Sequence, residues 1–283
     1  MTPASPPPRA DSLCEAAVAV LTTAAAPEKA RLTRAYAAAW REGRIAAIGA
    51  LAPPERPARP DRPELKLPRD MPKRGRGGSA QNRLALLHAL AHIELNAIDL
   101  AWDLVCRFVG EGMPKGFTDD WVQVADDEAR HFLMLEARLN ALGSGYGELP
   151  AHDGLWQAAI ATAHDLAARL AVVPMVLEAR GLDVTPDTVR RLDAFGDAES
   201  SALLQLIHDE EITHVAAGRR WFGHLCARRG VDPVATWQEL VRRHFRGALK
   251  RPFNLDSRRA ADFGPEFYEP IADMPGPSHA GGA

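Results

Sequence analysis

The sequence predicts an all-α protein, a helical bundle with further helices before and after it. Three observations carry that expectation. Long stretches repeat apolar residues every three or four positions, period-two alternation is nearly absent, and turn-forming clusters separate the stretches. The 283 residues, 46% hydrophobic and 25% charged, are enough for a sizeable buried core.

Residues 1–10 are Pro-rich and are expected to be mobile. Residues 11–49, rich in Ala, Leu, Glu and Arg, predict two helices, with Pro27 in the first turn of the second. Glu15 interrupts the early alanine-rich stretch and no basic cluster precedes it, so it does not read as a signal peptide. Together, residues 1–51 form an expected N-terminal helical extension. Residues 52–79 alternate prolines with basic residues and predict an extended strap or linker.

The expected bundle covers residues 80–228. Its first helix spans 80–110 and is ended by the glycines between Gly110 and Gly116. The second spans 118–142, with Thr118 or Asp119 as candidate caps. The third spans 153–180 and stops near Gly181, after which Thr185-Pro186 opens a short helix. Pro174 lies inside the third helix, where a missing N–H distorts the backbone. The fourth runs from about 197 to 228. Residues 229–283 read as a helix at 232–245 and then an irregular tail. Trp102, Trp121 and Trp221 fall on core-facing positions, and Cys106 and Cys226 read as small buried hydrophobes.

The chemistry lies in a repeated spacing. Glu128 and His131 form Glu-x-x-His on the second bundle helix, and Glu211 and His214 repeat it on the fourth. The helices before them carry Glu94 and Glu178. Glu94 to Glu128 is 34 residues and Glu178 to Glu211 is 33, so the chain reads as two copies of one helical hairpin. Positions i and i+3 lie one helical turn apart on neighbouring lines of a helix, so a carboxylate and an imidazole there can converge on one ion. One such motif alone is more often a solvated face. All six positions together predict Glu94, Glu128, His131, Glu178, Glu211 and His214 as ligands of two first-row metals. The four glutamates are then the candidate catalytic carboxylates. Oxygen and nitrogen donors without thiolate favour iron or manganese, as Fe2, Fe/Mn or Mn2.

His92, two residues from Glu94, points elsewhere on the helix, and His88 reads as a boundary residue or a supporting group behind the ligands. His208, three residues before Glu211, reads as an extra ligand or hydrogen-bond partner. Asp99, Asp127 and Asp209 are candidates to orient ligand imidazoles. The segment "KRPFNLDSRRAADF" reads as a packed tail with surface charges, the alternative being a cover or an anion holder over the site.

On these residues the sequence resembles the ferritin-like di-metal superfamily. "DEARH" at 127–131 is similar to the Asp-Glu-x-Arg-His motif of bacterial multicomponent monooxygenases. In the second copy Glu210 and Thr213 replace the Asp and Arg, which limits any supporting role implied for Asp127 and Arg130 to the first copy. "HIELNAIDLAWD", "DDEARHF", "DEEITHV" and "KRPFN…RRAADF", across residues 80–270, resemble a bacterial ferritin-like family of unknown function. That family is distantly similar to the di-iron hydroxylase acting on modified tRNA.

The resemblance implies a ferritin-like four-helix bundle and a di-metal site. The leading functional expectation is an O2-activating di-iron oxidoreductase with a small organic substrate, an electron donor and a possible homodimer. The alternatives are ferroxidase or iron handling, a structural metal site, and tRNA hydroxylation by resemblance alone. A net charge of −3 gives no other reason to expect nucleic acid, and no run reaches the roughly 18 apolar residues of a membrane span. Three widely spaced cysteines, Cys14, Cys106 and Cys226, favour a reducing cytoplasm.

Overall fold

The computed structural model describes residues 9–67, 70–71 and 79–274. The expected mobile start, the end of the strap and the last residues of the tail therefore lie partly outside the described residues. The fold is all-α: the β-type pairings among the described residues are isolated bridges. Contacts divide the chain into two compact units, Met1–Trp156 and Gln157–Ala283.

The first unit opens with α1 (Leu13–Thr22) and α2 (Ala26–Arg41), with Pro27 in the first turn of α2 as expected. Its centre is a hairpin of α3 (Ala80–Arg107) and α4 (Lys115–Ala141), with α1 packed on α3 and α2 on α4. Ser79 caps α3 by accepting from the Asn82 N–H. α4 starts earlier than Thr118 or Asp119. Pro114, at φ −59°, already presets the helix entry, and Thr118 is buried one turn inside.

The described part of the Pro-rich stretch is a fixed strap. Its carbonyls serve as acceptors for the helical core, with Lys29 Nζ 3.0 Å from Ala58 O and Trp156 Nε1 3.2 Å from Glu55 O. Arg59 reaches from the strap to Asn96 at 2.7 Å. Backbone without a helical partner is thereby satisfied from outside.

α3 is long and apolar enough to cross a membrane, which the sequence reading did not anticipate. Most of that apolar window is buried within the protein, and the helix carries buried Glu94, Asp99 and Asp103. Its apolar character serves a protein core.

In the second unit, α5 (Gly154–Ala161) lies at the division and is followed by α6 (Leu166–Val172). Residues Val173–Glu178 then form a π-helical turn that continues directly into α7 (Ala179–Ala194). The distortion expected at Pro174 is present. The expected stop at Gly181 is not, and Thr185-Pro186 starts no new helix: Pro186 sits inside α7. Proline removes a single helical bond, and α7 buries Leu182, Val189 and Leu192 along a face packed on α8 (Ala198–Arg229).

α8 approaches the π turn closely because residue 218 is glycine. A Cβ there would lie 2.5 Å from Pro174 Cβ. α9 (Pro233–His244) packs on α6, and Trp237 Nε1 donates to Ala171 O at 3.2 Å. The tail is less irregular than expected, with α10 (Leu255–Ala260) and α11 (Pro265–Tyr268) packed on the preceding helices. Trp102, Trp121 and Trp221 are buried, as are Cys14, Cys106 and Cys226.

Candidate metal centre

In the first unit, α3 supplies Glu94, and α4 supplies Glu128 and His131 one turn apart. All three are buried: Glu94 is 3% exposed, Glu128 1% and His131 not at all. His131 Nδ1 lies 3.3 Å from Glu94 Oε2 and 3.4 Å from Glu128 Oε2. One donor atom from each residue falls within 4.8 Å of the others.

Donors about 2.0–2.2 Å from one cation, at ordinary coordination angles, stand about 3–3.5 Å from each other. The His131 distances match that spacing. The donor chemistry, two carboxylates and an imidazole without thiolate, fits a first-row divalent metal. The residues present therefore fit a metal ion.

Without a cation the cluster is electrostatically costly. Burial raises the Glu94 carboxyl well above the usual range, and the neighbouring Glu128 carboxylate raises it further. Burial alone would lower the His131 imidazole. Its hydrogen bonds and charge attraction to Glu128 and Glu94 outweigh that and hold it well above an ordinary histidine. The apo cluster thus retains protons that a bound cation would displace.

The second unit places Glu211 and His214 together on α8. His214 is buried, and its Nδ1 lies 3.5 Å from Glu211 Oε2. Glu178 closes the π turn on the rod packed against α8, and it is half-buried. His214 and Gly218 are four residues apart, so the side of α8 that carries His214 is also the side that meets Pro174.

The flanking candidates have separate duties. Asp99 is fully buried and binds Lys29 at 2.6 Å and Arg59 at 2.9 Å, so it anchors α2 and the strap to α3. Asp127 accepts from Gln123 at 3.1 Å and pairs with Arg130 at 3.2 Å. Asp209 is exposed and accepts from Gln205 at 2.8 Å. His208 Nε2 lies 3.0 Å from Ser257 Oγ, a partner from α10.

His88 and His92 turn away from the cluster, as their helical positions require. His88 Nε2 accepts the Gly147 N–H at 2.9 Å, while His92 Nδ1 lies 2.8 Å from the Tyr146 hydroxyl. Burial lowers the His92 pKa to about 4, so the ring is neutral. The Tyr146 connection has no sequence signal, because the partner comes from an aperiodic loop.

A protein from Haemophilus influenzae described as "Uncharacterized protein" is 40% identical over 211 residues, which is 72% of each chain. No solved structure matches the chain. The model of the family described as "Protein of unknown function (DUF455)" matches residues 22–269, and the chain belongs to that family.

Proposed function

We propose that the protein is a non-haem di-iron oxidoreductase of the ferritin-like kind, using O2 to oxidise a small organic substrate. The observation that carries this reading is the buried Glu94–Glu128–His131 cluster, with His131 Nδ1 at 3.3–3.4 Å from both carboxylates. The repeat supports an equivalent role for Glu178, Glu211 and His214, giving one cation for each helical hairpin.

A ferrous pair held by these residues would supply O2 activation, the overall conversion of substrate and O2 to hydroxylated product and water needing two electrons from an external donor and two protons from solvent. Glu94 and Glu128 neutralise cationic charge. His131 gives a neutral nitrogen after losing its proton. Burial of all three keeps bulk water from the reacting centre. The π turn ends at Glu178 and fixes the direction in which that carboxylate leaves the backbone.

The test is anaerobic loading of the full chain with Fe(II), followed by metal analysis, Mössbauer spectroscopy and O2 uptake. Two iron ions per chain, magnetic coupling and O2 consumption are expected. Glu128→Ala should lose metal and O2 uptake together. Wild-type metal content in that variant would remove the proposed site, and a metal-loaded, reduced protein that leaves O2 untouched would make the site structural.

A further inference from the structure

The second unit contains a cavity of about 300 Å³, at the small end of the range for small-molecule sites. Its apolar walls include Val176, Leu177, Phe245, Leu249 and Phe253. Arg180, Lys250 and Arg258 also line it, with Asp183 as the lining carboxylate. We propose that this cavity binds a small organic carboxylate with an apolar body.

The charges on the wall are unevenly compensated. Asp183 is committed to Arg258, whose Nε and Nη2 each lie 2.8 Å from one of its oxygens. Arg258 is buried, and its guanidinium lies over the Phe253, Phe263 and Tyr268 rings. That pair is a structural wall. Arg180 stands further from Asp183, at 3.4 Å, and its Nη1 is held by the Lys250 carbonyl at 2.8 Å. A carbonyl fixes the guanidinium without cancelling its charge. Lys250 is exposed at the rim.

The cavity therefore offers an apolar interior beside two cations, one of them held in position. A neutral apolar molecule would leave those cations unused. A highly charged one would bring too little apolar surface to the walls. A carboxylate on an apolar body uses both, with charge-assisted hydrogen bonds to Arg180 and Lys250.

Val176 and Leu177 belong to the same π turn as Glu178. That the bound carboxylate is the molecule oxidised rests on the di-iron reading; that it binds does not. The sequence segment from Lys250 to Phe263 thus does more than cover the surface: Lys250, Phe253 and Arg258 build one side of the cavity.

The test is a 19F NMR titration of the full chain with 4-(trifluoromethyl)benzoate and, separately, its neutral amide. Each is measured on iron-loaded and on chelator-treated protein. The benzoate is expected to bind about tenfold more tightly than the amide, and Arg180→Gln or Lys250→Gln to weaken it about tenfold each. Ala248→Phe, which fills the cavity without changing charge, should abolish binding of both probes. Arg242→Gln, at an exposed position of α9, should change nothing. Thermal melts establish that each variant is folded.

Equal binding of benzoate and amide, no saturable benzoate binding at millimolar concentration, or wild-type binding in folded Lys250→Gln and Ala248→Phe would overturn the proposal. Benzoate binding that survives iron removal, in a protein that consumes no O2, keeps the cavity and ends the oxidase reading. O2 consumption by a protein that ignores the benzoate does the reverse.

Discussion

Two glycine-to-alanine substitutions in the second unit should have opposite signs. Gly181 lies inside α7, and a Cβ there meets nothing within 4 Å. Alanine should stabilise it by about 1 kcal/mol through helix propensity alone. Gly218 lies inside α8, where a Cβ would sit 2.5 Å from Pro174 Cβ and 2.6 Å from Pro174 Cγ. Carbon atoms settle at about 3.5–4.0 Å, so a gap of about 1 Å must open. A proline ring cannot swing aside, and its backbone is already part of the π turn. Overpacking of this kind costs about 3 kcal/mol at the upper end of the usual range, and the propensity gain offsets about 1.

The net loss for Gly218→Ala is then about 2 kcal/mol, a fall of about 3–4 °C in Tm for a chain of 283 residues. Paired thermal and urea unfolding of the two variants and the wild type measures it. Because His214 is one turn from Gly218 on α8, the same variant should also bind Fe(II) more weakly, read by equilibrium dialysis. A Gly218→Ala protein as stable as Gly181→Ala would refute the claim that this glycine sets the approach of α8 to the π turn.

His88→Leu should cost about 1–3 kcal/mol, because the Gly147 and Leu149 N–H groups lose their shared acceptor, seen in urea unfolding at pH 7.5. Burial lowers the His88 pKa below the ordinary 6.5, so the unfolded chain takes up that proton first. The contribution is intact above about pH 6.5 and declines as the pH falls toward the folded-state value, and the variant should lack that part of the slope. Asp99→Asn should destabilise the first unit by about 3–5 kcal/mol, since buried Lys29 then faces a neutral amide; hydrogen exchange of α2 amides would show the loosening. Glu94→Gln should retain the fold but release Fe(II) during gel filtration, and a variant that holds iron as the wild type does would remove Glu94 from the ligand set.

Helical class was legible because it depends on local periodicity. The rows of Leu and Ala in α3 and the Glu-x-x-His pairs are each defined within a few turns of one helix. Pro174 announced its distortion for the same reason: a missing N–H acts wherever the residue lies. Thr118, Gly181 and Pro186 were misread as boundaries because their local preferences are worth only about 1–3 kcal/mol, and packing of α4 and α7 exceeded them. The strap's order was also hidden, since its backbone finds donors in Lys29 and Trp156, far away in sequence.

The chain's order of residues by itself determined that the protein is helical and that two hairpins carry matching acids and imidazoles. Tertiary structure decided which groups meet: His131 with Glu94 and Glu128, Asp99 with Lys29 and not an imidazole, and Lys250 with Arg180 beside an apolar hollow. Helical periodicity is a property of neighbours along the chain. Charge pairing and cavity shape depend on side chains brought together across long separations, and only folding fixes those distances.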